Sequence, residues 1–356
     1  MRKQKNIKKF VSTMLAVLML SITAVGVMGC ANDAGTADGG SAATLVNTDP
    51  IIFVWYPNES SAIYTDARNE FGRIIYEATG RPVEHMLTTD YVIAIEAIAG
   101  GQADLATMGP VGYIMARDRN PAVNILVVSS GPSGTLDDAV YFGWLAVNRD
   151  IEDEFRDGDG WCIQNIQGRS MSFVSAASTS GFVVPVGAII EEFSDSWPGI
   201  DEDVILDAGP NGFFSQQIFG VSHQGAMFNL LDGRVEVATF CDTCVQAYVT
   251  LVYGEENATG SIYALRQGVE APFAGMDGME FRIIRSIAVP NFPIAYNGNN
   301  LTPEEIAAIT EALLSDSTTM NPLIFTPDPE IYRATFRRTR YERFIDVDDS
   351  FYDVMR

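Results

Sequence analysis

The chain has 356 residues, 47% of them apolar, with 23 basic residues against 46 acidic ones, two histidines and a formal charge of −23. A surface this acidic repels nucleic acid and anionic lipid headgroups. A bound anion would therefore have to be held by backbone amides and hydroxyls, and the length is sufficient for two lobes with separate cores.

Residues 1–9, MRKQKNIKK, carry five positive charges and no acid, and an uncharged apolar run follows from Phe10 to Met28. A basic segment, an apolar segment and a small residue before a cut are the layout of a secretory signal, here 1–29. An uncleaved membrane span competes with it, since 19 uncharged residues nearly reach the ~20 a bilayer needs. The cysteine placed directly after the run favours the signal. Val27-Met28-Gly29-Cys30 resembles the lipobox of bacterial lipoproteins, which implies acylation of Cys30 and a lipid anchor at the outer face of the cell membrane. Residues 30–49 are small, polar and glycine-rich and read as a flexible tether. Without residues 1–29 no lysine remains, and 18 arginines face 46 acids, a formal charge of −28.

From residue 50 the pattern alternates strand and helix. Ile51–Tyr56 is a predicted strand, Ala62–Thr79 a helix stopped by Gly80 and Pro82, and Pro82–Leu87 a strand. Tyr91–Ala99 is a helix ended by Gly100-Gly101, before a short strand at Ala103–Met108. The alternation predicts an α/β fold with mostly parallel sheets flanked by helices. YVIAIEAIAGGQADLAT, Tyr91–Thr107, aligns without a gap with HQGAMFNLLDGRVEVAT, His223–Thr239, at an offset of 132. Each reads as a helix, a glycine cap and a buried strand. Such units share a grammar, so chance similarity competes with a true repeat, but the match suggests an equivalent unit in each half. Thr89-Asp90 opens one helix and Ser222 the other, both with N-cap residues. Ligands in open α/β sheets collect where helix N-termini point. Two facing lobes would place Tyr91 and His223 on opposite walls of a cleft.

Ser170–Ser175 is a predicted strand and Gly181–Phe193 a helix, with Ser178, Thr179 and Ser180 between them. The first-turn N–H groups of a helix have no internal partner, its dipole favours negative charge, and three hydroxyls add donors. An anion site and an ordinary N-cap both fit. Pro185, lacking an N–H, predicts an irregular or kinked helix start. Beyond Cys30, three cysteines remain, Cys162, Cys241 and Cys244. The C-x-x-C spacing of the last two is read as a structural disulfide or as buried thiols in preference to a redox pair. No second such pair supports zinc.

The motifs Tyr56-Pro-Asn58, Thr89-Asp-Tyr91, Met108-Gly-Pro110 leading to Tyr113, Ala177-Ser-Thr-Ser-Gly181 with Pro185, Ser222-His223 and Val347-Asp-Asp-Ser-Phe-Tyr-Asp353 together resemble the phosphate/phosphite/phosphonate-binding lipoproteins of ABC importers. These have the two-lobed type II periplasmic-binding-protein fold, and the resemblance runs from about residue 50 to 356. It implies that Ser178, Thr179 and Ser180 hold an oxyanion head, that Tyr91, Tyr113 and His223 close round it, and that an ABC permease is the partner. Aminophosphonate-binding members often present an acid where this chain has Phe292. Asp242 remains a candidate acidic contact or a solvated loop residue. Each of these side chains has a plainer structural reading: Tyr91 and Tyr113 as core aromatics, His223 as a histidine satisfied at its helix start.

The leading expectation is a monomeric solute-binding lipoprotein without cofactor or metal and without catalysis. Lobe 1 would take residues 50–147 and 288–356 and lobe 2 residues 148–287, with crossings near Val147–Asp150 and Arg285–Val289. Two competitors use the same cleft. One is an extracellular hydrolase of phosphoesters with Ser178 or Ser180, His223 and Asp242, although the G-x-S-x-G elbow is absent. The other is a ligand-sensing lipoprotein partner of a membrane receptor.

Overall fold

The computed structural model describes residues 48–329, 331 and 333–356. The expected signal, Cys30 and the tether up to residue 47 lie outside the described residues.

The chain begins with β1 (Ile51–Trp55), α1 (Thr65–Thr79), β2 (Val83–Leu87), α2 (Tyr91–Ala99), β3 (Leu105–Thr107), α3 (Pro110–Arg119) and β4 (Val123–Ser129). It continues through β5 (Val140–Asn148), β6 (Ser170–Phe173), α4 (Val184–Phe193), β7 (Gln216–Phe219), α5 (His223–Leu231), β8 (Val237–Cys241), β9 (Val249–Tyr253), β10 (Ile262–Leu265) and β11 (Glu280–Pro290). It closes with β12 (Pro293–Asn297), α6 (Pro303–Leu314) and β13 (Phe344–Ile345). The first sheet has the order β13-β4-β12-β3-β1-β2 and the second β9-β10-β11-β5-β8-β6-β7.

Along β1, Ile51, Phe53 and Trp55 enter one core while Val54 and Tyr56 enter another, so this strand is buried on both faces. β5 divides likewise, with Leu145 and Val147 in one core and Trp144 and Ala146 in the other. A strand covered on both sides by helices reads as a continuous apolar run, and both of these do. Among the described residues no helix is long and apolar enough to cross a membrane.

The expected repeat is present in space. Asp90 caps α2 by accepting from Val92 N, and Ser222 caps α5 by accepting from Gly225 N. Gly101 and Gly233, the equivalent residues that turn each helix into its strand, have φ of 78° and 70°, where a side chain would be strained. β3 then pairs parallel with β1, and β8 parallel with β6.

Two expectations need correction. The sheets are mixed: β1/β2, β1/β3, β6/β8 and β6/β7 are parallel, and the other pairings are antiparallel. The reason is that β12, returning from the second sheet, inserts between β3 and β4 from the opposite direction. The crossings also lie elsewhere. β5 and β11 pair along almost their whole length, from Val140↔Pro290 to Asn148↔Phe281, so both belong to the second sheet. The chain therefore passes between sheets in residues 130–139 and at residues 291–292.

Candidate functional site

The Ser178–Ser180 stretch follows β6 and enters a wide turn. Val183 N donates to Ser178 O and Val184 N to Thr179 O, five residues back, so Thr179–Val183 is a π-helical turn leading into α4. Pro185 sits in the first turn of α4, where its missing N–H costs nothing. Ser178 Oγ accepts from Gly181 N at 3.2 Å. A Cβ on Gly181 would lie 2.3 Å from Val174, so only glycine lets the turn press against its strand. Thr239 Oγ1 holds the turn from β8, donating to Gly181 O at 2.6 Å.

This turn forms one wall of a small cavity, lined from the second sheet by Ser178, Thr179, Ser180, Tyr141, His223, Cys241 and Cys244. Tyr56, Asn58, Glu59, Tyr91, Thr107, Met108, Gly109 and Phe292 line it from the first half and the return crossing. No arginine is among them, so uncharged donors dominate the wall.

His223 opens α5 and is buried. Its backbone N–H donates to Asn58 Oδ1 at 3.0 Å, and its Nδ1 accepts from Cys241 N at 3.0 Å. Nδ1 therefore carries no proton, and Nε2 holds the hydrogen of the neutral ring. Nε2 lies 3.5 Å from Ser178 Oγ and serves as a donor into the cavity. Burial pushes the imidazole down to about 3, so it stays neutral at physiological pH.

Asn58 ties the halves together, since its Nδ2 also donates to the Tyr91 hydroxyl at 2.8 Å. Thr179 Oγ1 makes a second tie by accepting from Val111 N, in the first turn of α3, at 3.0 Å. Gly109 permits that approach, because a Cβ there would meet Thr179 Oγ1 at 2.7 Å. Burial holds the Tyr91 phenol far above its usual range, opposed by hydrogen bonds with Asn58 and Ser178. The same applies to Tyr141, opposed first by Ser180. Both phenols remain protonated donors.

Two buried wall atoms, Tyr56 Oη and Thr107 Oγ1, have no hydrogen-bond partner among the described residues. Thr107 is the repeat equivalent of Thr239, whose hydroxyl is satisfied, so only the copy facing the cavity is left open. An unsatisfied buried hydroxyl costs about 1–3 kcal/mol, which a polar ligand would relieve.

Of the residues expected in the site, Tyr91, Ser178, Thr179, Ser180 and His223 meet on this wall. Tyr113 does not: it is fully buried against Tyr352, and its hydroxyl donates to Asp349 Oδ1 at 2.7 Å. The C-terminal motif thus holds the tyrosine rather than a ligand. Asp242 is also turned away. Its Oδ1 accepts from Phe142 N and Thr243 N and its Oδ2 from Asn257 Nδ2, on a separate interlobe groove. Burial pushes its carboxyl up to about 7.

This geometry opposes a catalytic triad. The orienting acid is absent from His223 Nδ1, and the proton on Nε2 leaves that atom unable to act as a base toward Ser178. Cys241 and Cys244 form a disulfide on the cavity wall, and Cys162 is free. With their sulfurs bonded to each other and Nδ1 occupied, the His223–Cys241–Cys244 cluster is not set up to hold a metal.

The sequence reading missed Glu59, Thr107 and Tyr141 entirely. It had Tyr56-Pro-Asn58 as a motif without assigning it a role. Tyr141 and Thr107 sit inside apolar strands, where no local signal separates a cavity hydroxyl from a core one.

Fold and wall together define a two-lobed architecture with a donor-rich cavity, free of basic side chains, where the lobes meet. Over residues 53–352 the sequence matches the family described as ABC transporter, phosphonate, periplasmic substrate-binding protein, and the chain belongs to that family. The phosphate-import protein PhnD of Mycolicibacterium smegmatis is 24% identical over 189 residues, which span 53% of this chain and about half, 54%, of that protein. Among solved structures, a binding protein component of an ABC phosphonate transporter from Pseudomonas aeruginosa superposes with a TM-score of 0.59 at 19% identity, covering 86% of this chain and 83% of its own. PhnD1 of Prochlorococcus marinus, in complex with methylphosphonate, gives a TM-score of 0.59 at 13% identity over 87% of this chain and 96% of its own. These neighbours have the type II periplasmic-binding-protein fold.

Proposed function

We propose that the protein is the extracytoplasmic solute-binding component of an ABC importer, capturing a phosphonate, phosphite or phosphate between its lobes and presenting it to a membrane permease. The observation that carries this reading is the cavity itself. Hydroxyls from both lobes, the Nε2–H of a neutral histidine and two partnerless buried hydroxyls converge on one space, with no cation among them. Tetrahedral phosphorus oxyanions offer acceptors in several directions and match such a ring of donors. Ser178, Thr179 and Ser180 would hold the head, with Tyr91, Tyr141 and His223 closing round it. The Asn58–His223 and Thr179–Val111 bonds join the lobes, so closure and capture would be one event. The lobes would hinge at residues 130–139 and 291–292. Acylation at Cys30 would anchor a monomer to the outer face of the membrane, and the work is binding without chemistry.

A thermal-shift panel of methylphosphonate, phosphite, phosphate and sulfate tests this. At a hundredfold excess over Kd a true ligand adds about 2.7 kcal/mol of stability. At least one phosphorus oxoanion should raise Tm above the sulfate control. If none does, the reading is wrong.

A further inference from the structure

We propose that Glu59 and the bound oxoacid share a single proton, so that the cavity takes up one proton for each ligand it captures from alkaline solution. This rests on the proposed function and adds a rule for which ionic form is held.

Glu59 is the one acid on the cavity wall, and no arginine or lysine stands there to offset it. An ionised carboxylate beside a doubly charged oxyanion is repelled by it, and in a partly desolvated space that repulsion is strong. The proton removes the conflict. It lies between a carboxyl oxygen and a phosphorus oxygen, and the pair amounts to either carboxylic acid with dianion or carboxylate with monoanion.

The surroundings leave the carboxyl open for this. Arg68 of α1 is the cation whose charge acts on it, yet its guanidinium donates to the main-chain carbonyls of Glu59 and Ser61 and to Thr65 Oγ1. Among the described residues no other side chain donates to it; its own backbone N–H is its support. The other titratable groups facing it are Tyr56 on its own turn, Tyr64 before α1, Tyr91 of α2 and Tyr141 of β5. All four are phenols held protonated by burial. His223 across the cavity is neutral. Asp242, also raised to about 7, lies on the neighbouring groove with both carboxyl oxygens accepting from Phe142 N, Thr243 N and Asn257 Nδ2. Among the described residues that line the cavity itself, Glu59 is thus the group able to exchange a proton near neutrality, and burial already pushes its carboxyl up to about 7 despite Arg68.

The test compares the full chain with Glu59→Gln by calorimetric titration of methylphosphonate and of phosphite from pH 6 to pH 9. The ligand's own ionisation is common to both proteins and cancels in the ratio of their Kd values. That ratio, parent over variant, should rise about tenfold per pH unit above 7 as the parent must recruit a proton. Titration of the parent alone at alkaline pH, in buffers of different ionisation enthalpy, should register about one proton taken up per dianion bound. A ratio that stays constant with pH, or no proton uptake, overturns the proposal. So does a parent preference for an aminoalkylphosphonate that vanishes in Glu59→Gln while the pH profiles stay parallel, since that would make Glu59 a partner for an ammonium tail. If neither protein binds any phosphorus oxoanion, the proposed function itself has failed and the proposal with it.

Discussion

Replacing Asn58 with alanine should loosen ligand capture while leaving the ligand-free protein nearly as stable as before. Asn58 belongs to the first lobe and His223 to the second, and the 3.0 Å bond between them exists only when the lobes are together. The donor it satisfies is the first N–H of α5, a group with no partner inside its own helix. In the variant that N–H is buried against a methyl group, a penalty of about 1–3 kcal/mol. The Tyr91 hydroxyl also loses its donor, but it can turn toward the ligand and needs no separate allowance. At about 1.4 kcal/mol per decade, Kd for methylphosphonate should weaken about 5- to 150-fold. Calorimetric titration measures the affinity, and urea unfolding of ligand-free protein measures the stability. A variant that binds as tightly as the parent would refute the reasoning. A loss of stability equal to the loss of affinity would also refute it, by showing that the bond serves the fold alone.

Tyr113→Phe should leave Kd unchanged and cost about 1 kcal/mol of stability, because its hydroxyl bonds Asp349 away from the cavity; a weakened Kd would restore it to the site. Thr179→Val keeps the shape but removes the acceptor of Val111 N, so affinity should fall by about 1–3 kcal/mol, read by titration. Asp242→Asn reports on burial. The folded carboxyl, raised to about 7, keeps a proton that the unfolded chain loses near its ordinary value of 3.8, so the parent should lose stability as pH rises between these limits. Relative to the variant, that loss should approach about 1.4 kcal/mol per pH unit in urea unfolding curves, and parallel curves would contradict it.

The parts of the molecule that could be read from the sequence are those written in local backbone chemistry. Asp90 and Ser222 mark helix starts because a helix N-terminus needs a side-chain acceptor, and Gly101 and Gly233 mark helix ends because of their positive φ. These four residues carry the repeat, and the repeat correctly put Tyr91 and His223 on one cavity. Pro185 foretold an irregular helix start, and the π-turn is that irregularity. What could not be read depends on contacts distant in sequence. Tyr113 finds Asp349 across 236 residues, and nothing in its own helix distinguishes an inward hydroxyl bound to the C-terminus from one facing a ligand. The crossing points were misplaced because β5 and β11 are apolar runs whose allegiance to one sheet is decided by their pairing with each other. Asp242 was offered as a contact and Glu59 went unnoticed for a related reason: an acid in a loop looks solvated until burial is known, and burial raises both carboxyls to about 7.

The central claim is that uncharged donors from two lobes hold a phosphorus oxoanion without a cation. A crystal structure of the protein grown with methylphosphonate tests it most directly. The account predicts phosphorus density in the cavity, with its oxygens within hydrogen-bond reach of Thr179, His223 Nε2 and Tyr91, and with Tyr56 and Thr107 newly partnered. An anion found instead against Arg266 and Arg337 in the neighbouring groove, with the donor-lined cavity empty, would contradict it.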